Sequence, residues 1–265
     1  MKLKLNDKTK IIGERVNPTG KEKLAEAMRS LNVEYILNIV KEQIEAGCEI
    51  VDINVGAAGV DEVKLQGLLA KELSGMDVTP CFDSFNPDAL ESALENYEGH
   101  AIINSASTAN KEYEKIIKLA AKHSATIILL PYEHKMSLTF EDRKEAVQKL
   151  LDCAYENGFA KENILIDGVA MAVSSDVKAP QESVKFVKWC TEQGLMTTIG
   201  LSNISFGIPN REAVNRGFLA ELVGAGITTV IASPTAENKE VIDAGYLLSG
   251  NDEWCMGWIN TNRNK

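Results

Sequence analysis

The chain has 265 residues, of which 45% are hydrophobic and 25% charged. That composition suits a globular protein with a large core and excludes disorder, fibres and a disulfide scaffold. Its 28 Lys and Arg stand against 38 Asp and Glu, a net charge of −10 without a basic run, which argues against nucleic acid or an anionic membrane as the main partner.

The opening segment MKLKLNDKTK lacks the apolar core, ~7–15 residues long, of a secretory signal, and no apolar run reaches the ~18 residues of a membrane span. Cys48, Cys81, Cys153, Cys190 and Cys255 are odd in number, widely spaced and without a C-x-x-C pair. They read as reduced thiols of a cytoplasmic protein without a structural zinc site.

In chain order, β-branched runs alternate with helical periodicity. Strands are expected at Ile11–Val16, Glu49–Val55, Thr79–Ser84, Ala101–Ser105, Ala125–Leu130, Ile164–Asp167, Thr197–Ser202 and Thr228–Ala232. Each is largely apolar without strict alternation, as parallel strands buried on both faces require. Between the first two, Val33, Ile36, Leu37, Val40 and Ile44 form one face of a helix over Val33–Ala46, with Asn32 placed to cap it and Gly47 to end it. A later stripe, Val147, Leu150, Leu151 and Ala154, ends near Gly158. Further helices run from Pro180 to Gly194 and from after Asn210 to Gly224. An open doubly wound sheet would more usually show six strands and a G-x-G-x-x-G after the first, which is missing. Eight βα units without a linker therefore predict a single α/β domain over residues 1–265, a (β/α)8 TIM barrel.

Barrel enzymes work at the C-terminal ends of their strands. Here those ends read Gly13-Glu14-Arg15-Val16-Asn17-Pro18, Asp52-Ile53-Asn54-Val55-Gly56, Asp83-Ser84-Phe85-Asn86, Asn104-Ser105, Asp167-Gly168 and Gly200-Leu201-Ser202-Asn203. Any one such residue could simply start a loop or cap a helix. Carboxylates and carboxamides on six of eight strands are better explained as a site, because buried polar groups cost free energy unless paired. His100, His123 and His134 fall at a strand start, a helix end and a loop, so neither a charge-relay cluster nor a His–carboxylate metal site is visible. Arg15 and Arg211 are the candidates for phosphate recognition, without the glycine-rich loops it favours. Asp accepts two hydrogen bonds and Asn both donates and accepts, which suits a flat, neutral, nitrogen-rich heterocycle.

These segments, with Ile103-Asn104-Ser105 and Ile166-Asp167, resemble the pterin-binding methyltransferases. That family includes the methyltetrahydrofolate–corrinoid protein methyltransferases and the folate domain of cobalamin-dependent methionine synthase. The run Gly200-Leu201-Ser202-Asn203-Ile204-Ser205-Phe206-Gly207-Ile208-Pro209-Asn210-Arg211, followed by Asn215-Arg216, is similar to the methionine synthase version. The resemblance covers roughly residues 11 to 250. It implies that Asp83, Asn104 and Asp167 bind the pterin edge, with Glu14, Asn17, Asp52 and Asn54 around the same pocket. Gly200 and Ser202 would line the ring, Arg211 would lie near the far side of the folate, and Asn203 would reach N5, the methyl-bearing nitrogen. Dihydropteroate synthases share fold and pterin, but their N-V-T-P-D-S-F first-strand pattern is missing.

The expected activity is methyl transfer between a methyl-corrinoid protein or methylcobalamin and N5 of tetrahydrofolate, in the direction of methyltetrahydrofolate formation in a demethylation pathway. The sequence contains neither the D-x-H-x-x-G of cobalamin modules nor the zinc cysteines that hold homocysteine. The corrinoid is therefore expected on a partner protein, with no metal bound by this chain, and family analogy implies a homodimer. Transfer from methyltetrahydrofolate to the corrinoid iron-sulfur protein of acetyl-CoA synthesis is an alternative. A non-catalytic folate-binding barrel is another, but it would need no Asn203. An aldolase-type barrel would need a strand-end lysine, and none is evident. The loop Tyr132–Glu141, with His134 and Met136, is read as a partner contact or a solvated lid. Trp254, Met256 and Trp258 are read as packing on the barrel or a second subunit.

Overall fold

A computed structural model describes residues 3–5, 7–134 and 138–263, so Met136 lies outside the described residues. The β-branched runs form eight parallel strands: β1 Lys10–Val16, β2 Ile50–Asn54, β3 Thr79–Asp83, β4 Ile102–Ser107, β5 Thr126–Leu130, β6 Ile164–Asp167, β7 Met196–Thr198 and β8 Thr229–Ala232. Neighbours in sequence are neighbours in the sheet, and β1 also pairs with β8, so the order turns full circle as a (β/α)8 barrel. Helices cover the outside: α1 Glu22–Arg29, α2 Val33–Glu45, α3 Glu62–Leu73, α4 Pro87–Asn96, α5 Tyr113–Lys122, α6 Phe140–Glu156, α7 Ala179–Glu192, α8 Arg211–Gly224, α9 Ala236–Leu248 and α10 Met256–Asn262.

Two apolar layers hold this together. Inside the barrel, Ile12, Ile50, Cys81, Ile102, Ile128, Leu165 and Met196, from β1 to β7 in turn, pack with Leu3 below them and Ile231 of β8 beside them. The larger layer lies between strands and helices. In α2, Ile36 and Val40 are fully buried, while Val33, Leu37 and Ile44 pack against the same core from its margin. Each buried aliphatic side chain of this kind contributes ~1.5–3 kcal/mol. The Asn32 side chain accepts the Tyr35 N–H at 3.1 Å and Gly47 adopts φ +83°, so both ends of α2 behave as its sequence implies.

The last join of the circle is made differently. β7 and β8 share one backbone bridge, Gly200 to Ile231, in which the Ile231 N–H donates to the Ile199 carbonyl at 2.8 Å. Below it hydroxyls replace the ladder. The Thr197 N–H donates to Thr228 Oγ1 at 3.1 Å and the Thr228 N–H to Thr197 Oγ1 at 3.4 Å.

Three expectations need correction. Strand seven was expected to run to Ser202, but β7 stops at Thr198, and Leu201–Ser205 is a 3-10 turn whose Asn203 N–H reaches the Gly200 carbonyl at 3.3 Å. The count of eight helices is exceeded among the described residues, because α1 and α10 are additional; α1 packs Leu24, Ala25, Ala27 and Met28 into the core. Of the two packings expected for these side chains, that on the barrel does not hold for Trp254, 83% exposed, or Met256, 52% exposed, and Trp258 is half-buried. No helix among the described residues is long and apolar enough to cross a membrane.

Candidate active site

Strand register brings the polar residues to one level. Asn54 pairs with Asp83 across β2 and β3, and Asp83 pairs with Asn104 across β3 and β4. Asp52 lies two residues before Asn54 on β2, hence on the same face, and Asp167 ends β6 opposite Thr198. The result is a cavity of ≈ 630 Å³ at the C-terminal mouth, a size usual for small-molecule sites. It is lined by Glu14, Asn17, Asp52, Asn54, Asp83, Asn104, Asp167, Gly200, Ser202 and Asn203, that is, by every residue to which the resemblance gives a role except Arg211; Arg15 lies outside it. Arg211 lines an adjoining cavity of ≈ 410 Å³ that shares Glu14, Asn17, Ser202 and Asn203 with the first. There its guanidinium donates to the Ser202 carbonyl at 2.6 Å and to Ser205 Oγ at 3.0 Å, bracing the 3-10 turn.

The amides orient the acids. Asn54 Nδ2 donates to Asp83 at 2.7 Å, and Asn104 Nδ2 donates to Asp52 at 3.1 Å. The Val169 N–H donates to Asp167 at 2.7 Å, and Ser202 Oγ donates to Glu14 at 3.2 Å. Burial nevertheless dominates their ionisation. It lifts Asp83 and Asp167 to about 6 against the bonds from Asn54 and from the Val169 amide. Burial and the nearby Asp83 charge push Asp52 well above the ordinary carboxylate range, and burial raises Glu14. Carboxyls held near 6, as at Asp83 and Asp167, exchange protons close to neutral pH.

Asn203 stands where the strand gives way to the turn. A Cβ on Gly200 would lie 2.9 Å from Asn203 Nδ2, so the glycine leaves the space that this side chain occupies. Phe85 and Ser105, which stand in the strand-end motifs without an assigned role, also line the cavity, as does the wall Val169-Ala170-Met171-Ala172, which the sequence reading does not include. Their signal was position, since each follows a polar strand end that had been picked out. Tyr132 and His134, in the loop after β5, reach the cavity as an edge-to-face pair with ring centroids 5.4 Å apart. The end of that loop was drawn too late, because Phe140 and Glu141 already belong to α6.

An eight-stranded barrel whose mouth carries buried Asp52 and Asp167 beside half-buried Glu14, Asn54, Asp83 and Asn104 offers hydrogen-bond acceptors and donors suited to a flat, N–H-rich ligand. Residues 13–233 match the family model described as pterin binding enzyme, and the chain belongs to that family. It is 29% identical to a methionine synthase of Mycobacterium leprae over 83% of this chain and 20% of that protein. The chain thus spans about a fifth of the length of that methionine synthase. It is 25% identical to the methylcorrinoid:tetrahydrofolate methyltransferase of Eubacterium limosum over 92% of this chain and 93% of that protein. Among solved structures, the dihydropteroate synthase of Clostridium difficile superposes with a TM-score of 0.73 at 16% identity, over 92% of this chain and 98% of that one. That of Coxiella burnetii gives 0.70 at 15%, over 94% and 99%; at such identity the likeness is one of fold.

Proposed function

We propose that this chain transfers a methyl group between a methyl-corrinoid, carried by a partner protein, and N5 of tetrahydrofolate, in the direction of methyltetrahydrofolate formation. The observation that carries this reading is the ring of Asp52, Asn54, Asp83, Asn104 and Asp167 with Asn203 at its lip, in a barrel alike in sequence over nearly its whole length to the Eubacterium limosum methyltransferase. In this reading the pterin edge donates its N–H groups to Asp83 and Asp167 and meets the Asn104 amide. Asn203 hydrogen-bonds N5 as that atom changes charge, a preorganised contact worth ~3–4 kcal/mol in comparable sites.

The corrinoid supplies an electrophilic methyl group on cobalt. What the chain supplies is orientation of N5 toward that methyl, and a route for the proton that tetrahydrofolate N5 must lose. Carboxyls at about 6, as at Asp83 and Asp167, accept a proton through water at neutral pH more readily than ordinary aspartates. The amide of Asn203 is no practical acid, so its part is to hold N5.

The test mixes the protein with tetrahydrofolate and methylcobalamin, or a methylated corrinoid protein, and follows the corrinoid spectrum. Loss of the methyl–cobalt signal is expected, faster with the protein-bound corrinoid because docking replaces chance encounter. Tetrahydrofolate binding without any spectral change would instead favour a non-catalytic folate-binding barrel. Reversal with methyltetrahydrofolate and reduced corrinoid gives the relative rates of the two directions.

A further inference from the structure

Arg143, in the first turn of α6, is fully buried behind the cavity wall. Its guanidinium donates to the Leu138 carbonyl before α6, to the Val169 carbonyl after β6 at 3.2 Å, and to Ser183 Oγ on α7 at 3.2 Å. Ser183 Oγ in turn lies 2.8 Å from the same Val169 carbonyl. All three acceptors are uncharged, and among the described residues the Arg143 Nε–H has no partner. An apolar side chain of similar volume often serves stability as well as or better than a buried charge, so stability alone does not account for this residue.

Val169 is the point of interest. It is a β-branched residue at φ +55°, a region that such residues rarely enter. Its two backbone polar groups are held on opposite sides: the carbonyl by Arg143 and Ser183, and the N–H by Asp167 at 2.7 Å. The same turn carries Ala170, Met171 and Ala172 into the cavity wall. Strained backbone of this kind persists where the surroundings over-determine it.

We propose that Arg143 is a positioning residue of the site: by clamping the Val169 carbonyl it aims the Val169 N–H at Asp167 and fixes both that carboxylate and the Val169–Ala172 wall against the bound ring. The role in ligand binding rests on the pterin reading above; the effect on Asp167 does not. Asp167 also faces the Asp83 carboxylate, which opposes its ionisation. Besides Asp167, the charges around Arg143 are Glu182 on α7, Asp142 on α6 and Asp176 before α7. Arg143 thus favours the ionised form of Asp167 twice, through its charge and through the amide that it holds in place.

The experiment follows the Asp167 carboxyl carbon by NMR in ligand-free protein across pH, and measures tetrahydrofolate binding by calorimetry, in wild type, Arg143→Met and Arg143→Lys. Arg143→Met is expected to move the Asp167 midpoint upward and to weaken binding ~10–100-fold, the scale of a misplaced contact group. Arg143→Lys keeps the charge but loses the fork, and is expected to fall between the two in both readouts. A folded Arg143→Met with the wild-type midpoint and affinity overturns the proposal. If Arg143→Met does not fold, Arg143→Lys decides in its place: a shifted midpoint with weakened binding supports the clamp, and wild-type values overturn it. A wild-type protein that binds no tetrahydrofolate sinks the pterin reading, while the Asp167 titration still reports on the clamp.

Discussion

Asp83 and Asp167 carry a signature that solution measurements can read. Burial raises both from 3.8 to about 6, so between those values the folded chain keeps protons that the unfolded chain has released. Stability must then fall as pH rises from about 4 through about 6 and level off above, at ~1.4 kcal/mol per pKa unit for each group. The melting temperature is expected to be higher at pH 5 than at pH 7. Asp83→Asn should flatten that slope, and a slope of opposite sign would show that these carboxyls are not held up. N–H donors of a bound ring favour the ionised forms, so tetrahydrofolate binding near pH 6 should release protons. Calorimetry in buffers of different ionisation enthalpy would detect that release.

Three substitutions separate holding the ring from handling N5. Asp167→Asn or Asn104→Ala should weaken tetrahydrofolate binding without unfolding the chain, because an unpaired partner is left behind at ~1–3 kcal/mol. Unchanged dissociation constants in both would place the pterin elsewhere. Asn203→Ala should lower turnover more than affinity, since N5 changes charge only on the way to the transition state. Full single-turnover rates in that variant would remove Asn203 from the chemistry.

At the level of elements, what could be read depended on whether local pattern and tertiary context agreed. α2 was legible because its stripe, cap residue and terminal glycine all point the same way. β6 is legible to the residue, for Ile164–Asp167 is wholly buried and ends on the aspartate that lines the cavity. β7 was not, because Ile199-Gly200-Leu201 continues an apolar run and only the fold-back of Asn203 onto Gly200 shows that the strand has ended. The Arg143 clamp was illegible for a similar reason, since nothing local links a helical arginine to a carbonyl 26 residues on. The β7–β8 join invites a paired test. Thr197→Val or Thr228→Val removes the acceptor of a buried amide and should cost ~1–3 kcal/mol. The Thr198 hydroxyl is buried without a partner among the described residues, so Thr198→Val, nearby and similar in volume, should be neutral or stabilising. Equal losses in urea melts of all three variants would mean that the hydroxyls do not stitch the join.

For the molecule as a whole, the order of strand-end residues around the mouth was readable because a barrel maps sequence order onto a circle. The family match over residues 13–233 agrees with the reading of those ends taken together. What the linear order could not convey was how the circle closes. β1 is laddered to both neighbours, whereas β7 and β8 meet through one backbone bridge and the hydroxyls of Thr197, Thr228 and Thr229. Above that junction Ser202 bonds to Glu14, tying the 3-10 turn to β1 over the end of β8.

A ring with one loose joint opens there first. In deuterated solvent the amides of residues 196–200 and 229–232 should therefore exchange before those of β2 to β5, because local opening sets the order of exchange. Asn203 sits on the turn directly after that joint, so an opening of the ring is expected to carry Asn203 with it. A ligand held between Glu14 and Asn203 should act as a clasp, slowing exchange along β7 and β8 while leaving β3 unchanged.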